Sequence, residues 1–314
     1  AGLYAMLVSS RQRDADFRGR LMRYNSVWAL AGIAVIVPAW FWFRGAIPAD
    51  VMAAMAERMR TPVLAMNAAL WFLGALTALV LAFGLLLPKR LHTATAVILM
   101  ALGLGFFGGF EWMRESVRKP YVIYGVMYGN GAEVARQDEY RATGFLPHIA
   151  FRTGDDGSDL FNHACRTCHT IGGYKPLAPM FNGTDPQFIA SIVANTDKLH
   201  GNMPPFFGTA SEAQTIAEHI WSRVDRRPFD AVYGLSGAAL GRKVYEVRCG
   251  RCHQIGGFRE NIESLAGLDD SDYNDILDNG ADYGEGMPDF TGTAAERAAL
   301  IAWLRTLPEG VEQR

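Results

Sequence analysis

Cys165-Arg166-Thr167-Cys168-His169 and Cys249-Gly250-Arg251-Cys252-His253 are two copies of a C-x-x-C-H pattern, and together they use all 4 cysteines of the 314-residue chain. Two thiols three positions apart can form thioethers to the two vinyl groups of one haem, and the histidine that follows is placed to ligate its iron. The chain is therefore expected to build two pockets around two covalently held haem c groups, each with its iron. Zinc fits less well: paired cysteines of zinc sites usually lie close in sequence, whereas here about 80 residues intervene. Zinc would also leave both following histidines unexplained. A redox dithiol would need one such pair in a βαβ pattern, which the sequence lacks.

The motifs are halves of a longer repeat. Shifted by 84 positions, Gly157 falls on Gly241, Phe161 on Tyr245, Ile171-Gly172-Gly173 on Ile255-Gly256-Gly257, and Met203-Pro204 on Met287-Pro288. The register continues through Phe206 and Phe290, Gly208-Thr209 and Gly292-Thr293, and Glu212 and Glu296. A duplicated module accounts for this, with a period long enough for each copy to enclose its own haem.

The same register supplies a second axial ligand. Each motif histidine is followed 34 positions later by a methionine in a Gly/Pro-rich loop, Met203 after His169 and Met287 after His253. A thioether is a soft, neutral ligand that favours ferrous iron and fills the remaining axial position. The expected cofactor-binding set is Cys165, Cys168, His169 and Met203 for the first haem, and Cys249, Cys252, His253 and Met287 for the second. The metal ligands among them are His169, Met203, His253 and Met287. His200 and Met180 are the substitutes should Met203 not ligate.

Each module resembles the helical fold of the small cytochromes c. The resemblance places an N-terminal helix over Gly157 to His169, running into the haem motif, and a C-terminal helix over Ser211 to Arg223, capped by Ser211. The apolar face of that helix is Ala213, Ile216, Ala217 and Ile220. In the second copy the helix is Ala294 to Leu307, with Ala298, Ile301, Ala302 and Leu304. The resemblance also implies that a proline after the motif offers its carbonyl to the ligating imidazole. Pro179 is near that place in the first module, and Glu263 stands at the aligned position of the second. A core this small is expected to depend on its haem for folding.

The first half of the chain has another character. Apolar runs at Val27 to Phe43, Val63 to Leu87 and Thr93 to Phe110 approach or exceed the roughly 20 residues needed to span a bilayer. Arg11, Arg13, Arg18, Arg20 and Arg23 precede the first run, and Lys89-Arg90 lie between the second and third. Basic flanks face the cytoplasm, so the connection around Ala46 to Arg60 is expected outside. The third span would then exit on the periplasmic face of a bacterial inner membrane, the side on which c-type haem is attached. His92, the one histidine of these helices, reads as an interfacial residue. Ala1 to Val8, apolar ahead of the basic cluster, reads as the tail of a further helix.

Glu111, Arg114, Glu115 and Arg118 cluster at the outer end of the third span, where they are expected to pair with one another, a neighbouring subunit or a cofactor. The pattern Glu115-x-x-Arg118-x-Pro120-Tyr121 resembles the Glu-x-Gly-Arg-Gln-Pro-Trp segment that follows a helix in subunit I of cytochrome bd quinol oxidases. The basic run from Arg11 to Arg20 is loosely similar to the helices before that family's quinol loop. Val117 and Tyr121 stand where the family has Gly and Trp, and no long quinol loop separates the first two spans. The dihaem subunit of cbb-type oxidases is similar in joining a membrane anchor to two c domains.

The expected architecture is all-α. A transmembrane anchor over residues 1–121 leads through a linker at 122–153 to cytochrome c domains at 154–230 and 235–314. The expected function is that of an electron-transfer subunit of a membrane respiratory complex. Its partners would be other membrane subunits, a soluble periplasmic electron carrier and possible quinol, and no catalytic residue is assigned. The net charge of −2 gives no reason to expect a nucleic-acid partner. An acidic stretch, Asp269 to Glu285, could steer a basic partner. The alternative is a redox enzyme in its own right: a dihaem peroxidase with an open iron, or a quinol dehydrogenase using Glu111, Arg114 and Glu115.

Overall fold

Among the described residues, one two-stranded hairpin interrupts an otherwise helical chain, as the long apolar runs and 3.6-residue periodicity require. The computed structural model describes residues 1–58 and 60–307. Residue 59 of the expected outer connection and residues 308–314 of the second c domain lie outside the described residues. Two units divide the chain, Ala1–Val117 and Arg118–Arg314.

In the first unit, α1 (Gly2–Ser9) is followed by α2 (Ala15–Ala46), capped by Asp14, whose carboxylate accepts the backbone N–H groups of Asp16 and Phe17 at 2.8 and 3.1 Å. Then come α3 (Ala49–Arg58), α4 (Arg60–Leu79), a π-helical stretch Val80–Leu86, and α5 (Thr93–Arg118). Ala15–Ala46, Val63–Leu86 and Thr93–Arg118 are each long and apolar enough to cross a membrane, one at each expected place. The expected outer connection is not a plain loop, since it holds α3. Trp42 and Trp71 are each 80% exposed on spanning helices, a placement suited to lipid and not to water.

The interior of this unit is built from Met6, Met22, Leu76, Val80, Leu91 and Leu99. Helices pack closely where side chains are small: a Cβ on Gly109 would lie 2.8 Å from that of Ala69. At one end of the bundle Lys89 pairs with Asp16, and Arg18 Nη2 donates to the Lys89 carbonyl at 3.2 Å. The two basic flanks therefore share one end, as a common side of the membrane requires. Near the other end of α5, Arg114 bridges Glu111 and Glu115 at 2.9 and 3.0 Å, so these charges satisfy one another.

The second unit opens with β1 (Tyr121–Ile123) and β2 (Met127–Tyr128), an antiparallel pair in which Tyr121 faces Tyr128, turned at Gly125 with φ +69°. α6 (Gln137–Thr143) follows. From this expected linker, Tyr128, Ala132, Tyr140 and Phe145 are all buried in the core of the first repeat. That repeat contains α7 (Asp156–Ala164), α8 (Ala178–Phe181), α9 (Pro186–Ala194) and α10 (Ala210–Trp221). After α11 (Phe229–Tyr233), the second repeat contains α12 (Gly237–Val244), α13 (Ile262–Leu265), α14 (Asp270–Asp278), α15 (Gly280–Tyr283) and α16 (Ala294–Leu304).

In each repeat the helix before the motif crosses the C-terminal helix, and the aligned glycines Gly157 and Gly241 sit at that crossing. A Cβ on Gly157 would lie 3.0 Å from that of His219, and one on Gly241 would overlap the Ala299 carbonyl. Ala213, Ile216, Ala217 and Ile220 of α10 are buried as expected. Two expectations need correction. The cap of α10 is Thr209, not Ser211: its hydroxyl accepts Glu212 N–H at 3.2 Å, while the Glu212 carboxylate accepts Thr209 N–H at 2.9 Å. In α16 the inward face is Ala299, Leu300, Ile301 and Leu304, whereas Ala298 and Ala302 are exposed. The helix is rotated because its close approach to Gly241 is made through Ala299.

Candidate haem centres

The two C-x-x-C-H motifs adopt one backbone shape. Asp155 caps α7 by accepting Ser158 N–H at 3.0 Å, and the helix delivers its last turn to Cys165. His169 N–H then donates to the Cys165 carbonyl at 2.9 Å, and Cys168 N–H to the same carbonyl at 3.1 Å. In the second module His253 and Cys252 make the same bonds to Cys249 at 2.8 and 3.0 Å. One closed turn thus holds two thiols and an imidazole together.

The imidazoles are oriented by a carbonyl the sequence reading did not find. His169 Nδ1 donates to the carbonyl of Lys175 at 3.0 Å, and His253 Nδ1 to that of Arg259 at 2.8 Å. These acceptors are aligned in the repeat, and both have left-handed backbones, with φ of 42° and 45°. Each such residue turns the loop back so that its carbonyl meets the ring six positions earlier. With Nδ1 committed to a backbone acceptor, Nε2 is the nitrogen left for a metal. Pro179 is not the partner; it lies inside α8. The expected asymmetry between Pro179 and Glu263 therefore does not arise, because both modules use the same device.

The methionine loops are pinned separately. Thr196 Oγ1 donates to the Pro204 carbonyl at 2.7 Å, beside Met203, and Met203 packs on the first core with Cys165, Met180 and Phe206. Met287 N–H donates to the Gly284 carbonyl at 3.0 Å, and Phe290 N–H to that of Leu277 at 2.7 Å. His200, the substitute ligand, donates its backbone N–H to the Arg251 carbonyl at 2.8 Å, inside the other motif.

In the second module Cys249, Cys252, His253 and Met287 line one cavity of about 520 Å³. Phe188, Ile192 and Leu199 of the first module form part of its wall. Two thiols, an imidazole with one committed nitrogen and a thioether around an apolar cavity of this size are a donor set that fits haem c. The first module repeats the closed turn of Cys165, Cys168 and His169 and the Nδ1–carbonyl bond, with Met203 packed on the same core as Cys165. Burial pushes the thiols of Cys165 and Cys249 up to about 12, so these sulfurs are not thiolates poised for redox exchange. Burial also lowers His169, against the hydrogen bond to Lys175, which favours the charged form. Among the described residues no group of three or more His, Cys, Asp or Glu side chains comes together as a metal site, so the two cysteine pairs do not converge.

Sequence reading also missed what two buried carboxylates of the modules hold. Glu212 accepts the backbone N–H groups of Phe145 and Leu146, both at 2.9 Å. Its repeat partner Glu296 instead accepts Arg248 Nη2 at 3.0 Å. The repeat marked both glutamates, but nothing local showed what each would hold.

Residues 152–220 and 236–304 each match the model of the family described as Cytochrome C oxidase, cbb3-type, subunit III. No match was found among curated proteins or among solved structures. The family matches cover the two modules and stop short of the apolar helices. Together with those helices they support a dihaem cytochrome c, a membrane-anchored electron-transfer protein whose cofactor is haem c with its iron.

Proposed function

We propose that this chain is the electron-transfer subunit of a membrane respiratory complex, working between a quinol-linked membrane partner and a soluble periplasmic electron carrier. The observation that carries the reading is the duplicated centre: the same closed turn, the same carbonyl on Nδ1 and a methionine loop at the same spacing. Haem c, when attached, supplies an iron that gains and loses one electron at a time. Cys165 and Cys168, or Cys249 and Cys252, would tether it, and His169 with Met203, or His253 with Met287, would ligate its iron. An iron ligated by both would be shielded from substrates and would reorganise little on electron transfer, a role that calls for no catalytic residue.

The working division is an anchor at 1–121, a joining segment at 122–153, and c domains at 154–230 and 235–314. The basic flanks gathered at one end of the bundle support a cytoplasmic side there and periplasmic modules. The segment from Glu115 to Tyr121, through its resemblance to the cytochrome bd subunit, supports a quinol-linked partner of that type.

The test is an optical redox titration of the detergent-extracted protein with its native partners, with carbon monoxide added to the reduced form. Two c-type transitions at positive potential and no carbon monoxide binding are expected. A high-spin component that binds added ligand would overturn the electron-conduit reading and favour a peroxidase-like enzyme.

A further inference from the structure

Arg248 has no counterpart in the repeat, since the aligned residue of the first module is Ala164. It directly precedes Cys249, and its side chain is only 5% exposed. Nη1 donates to Asp185 Oδ2 at 3.0 Å and Nη2 to Glu296 Oε2 at 3.0 Å. Thr291 Oγ1 donates to the same Asp185 oxygen at 2.7 Å. The rings of Phe188, Phe229 and Phe290 surround the guanidinium at 5.2, 5.3 and 5.4 Å. Asp185 belongs to the first module, where its other oxygen caps α9 by accepting Phe188 N–H at 2.8 Å. Glu296 belongs to the second, in the first turn of α16. One buried cation therefore holds a carboxylate from each module.

Burying ions costs desolvation that attraction only partly offsets, so net stability alone is a weak account of such a network. What it arranges lies alongside. The backbone N–H of His200, three residues before Met203, reaches the Arg251 carbonyl between the two motif cysteines at 2.8 Å. Cys252 packs on the first module's core, as Met203 does. Lys198 and Glu285, one from each methionine loop, pair at 2.8 Å. The chain joining α10 to α12 is itself held, by Asp225 N–H donating to Asn182 Oδ1 of the first module at 3.0 Å and by Phe229 buried in the second core.

We propose that Arg248 is a positioning residue that clamps the second attachment motif onto the methionine loop of the first module. One buried side chain then sets the separation and orientation of the two cofactor sites. The proposal rests on reading both motifs as haem centres.

Its test uses the full chain with attached haems in detergent, comparing wild type with Asp185→Asn. That change keeps the α9 cap oxygen, removes the charge facing Arg248 and leaves the Arg248–Glu296 pair in place. Two quantities are read: exchange of the His200 amide, and magnetic coupling between the two oxidised irons by electron paramagnetic resonance. Exchange is expected to accelerate about tenfold to a hundredfold, the equilibrium worth of a hydrogen bond to a charged group. The coupling is expected to weaken, while each centre's optical spectrum and the exchange of Ile216 and Val244 in the two cores stay as in wild type. Unchanged His200 exchange and unchanged coupling overturn the proposal. So does acceleration shared equally by Ile216 and Val244, which would show a merely structural role. Absence of covalent haem from wild type on a denaturing gel would instead overturn the haem reading, and the amide comparison would still decide whether Arg248 joins the modules.

Discussion

The two modules share what touches the cofactor and differ in what supports it. The closed turn of the motif, the left-handed residue whose carbonyl orients the imidazole, and the glycine at the helix crossing recur 84 residues apart. The buried glutamate also recurs, but Glu212 binds the backbone of the segment ahead of it while Glu296 binds Arg248. The first module draws Tyr128, Tyr140 and Phe145 into its core from the joining segment; the second takes Phe229 from the chain between modules and leans its cavity on the first. A domain of this size buries too little apolar surface alone, so each copy recruits whatever precedes it. Duplication preserved the chemistry, and the neighbourhood decided the scaffold.

The sharpest way to break the equivalence is to remove one tether. Cys249→Ala with Cys252→Ala should abolish covalent attachment in the second module and leave the first loaded, so haem per chain, measured as the pyridine haemochrome, falls by half. The mirror pair at Cys165 and Cys168 should give the same halving if the modules load independently. A smaller change tests the axial position: Met287→Ala should open that iron to carbon monoxide and lower its midpoint potential, leaving the other transition in place.

The two glutamates should separate the scaffolds. Glu296→Gln strips the charge from a fully buried pair and leaves Arg248 with less compensation, which costs about 3–5 kcal/mol. Glu212→Gln keeps an acceptor oxygen for backbone donors and should cost about 1–3 kcal/mol. Chemical denaturation followed by far-ultraviolet circular dichroism would rank them, and a larger loss at Glu212 would contradict this account of the second module. At the helix crossings, Gly241→Ala meets the Ala299 backbone and should cost about 1–3 kcal/mol, more than Gly157→Ala, whose new methyl meets a side chain.

The features readable in the sequence were those written locally or by repetition: the motifs, the methionine spacing, the three apolar helices and the burial of Ile216 and Ile220. The cap of α10 was readable too, since Thr209-x-x-Glu212 has the spacing of a reciprocal cap, but a serine two positions inside competed for the role. The face of α16 was not readable, because a one-residue rotation toward Gly241 exchanges Ala298 for Ala299 without altering the apolar period. Nor was the imidazole's acceptor, a backbone carbonyl whose position depends on a left-handed turn at Lys175 or Arg259 and on no side-chain identity. Arg248 was hidden for a different reason: a lone arginine beside a motif reads as a surface charge until Asp185, 63 residues away, is seen beneath it.

The smallest expected effect concerns acid. Asp159, buried in the first module, has Lys243 as its counterpart in the second. Burial alone would raise its pKa, but the hydroxyl and N–H of Thr153, both at 2.8 Å, outweigh it and hold the carboxyl below its ordinary value. A depressed folded pKa contributes stability that is fully present above the unfolded value of about 3.9 and is lost as pH falls through the folded value. The first module should therefore lose stability below about pH 4 through this group, and the second should not. Asp159→Asn keeps one acceptor and gives up the other, so the variant should be slightly less stable at neutral pH, with a flatter acid limb that converges on wild type at low pH. Thermal melts between neutral pH and the acid limb would show it. Parallel curves for the two proteins would mean that Thr153 holds Asp159 by shape alone, and that acid sensitivity does not distinguish the modules at this position.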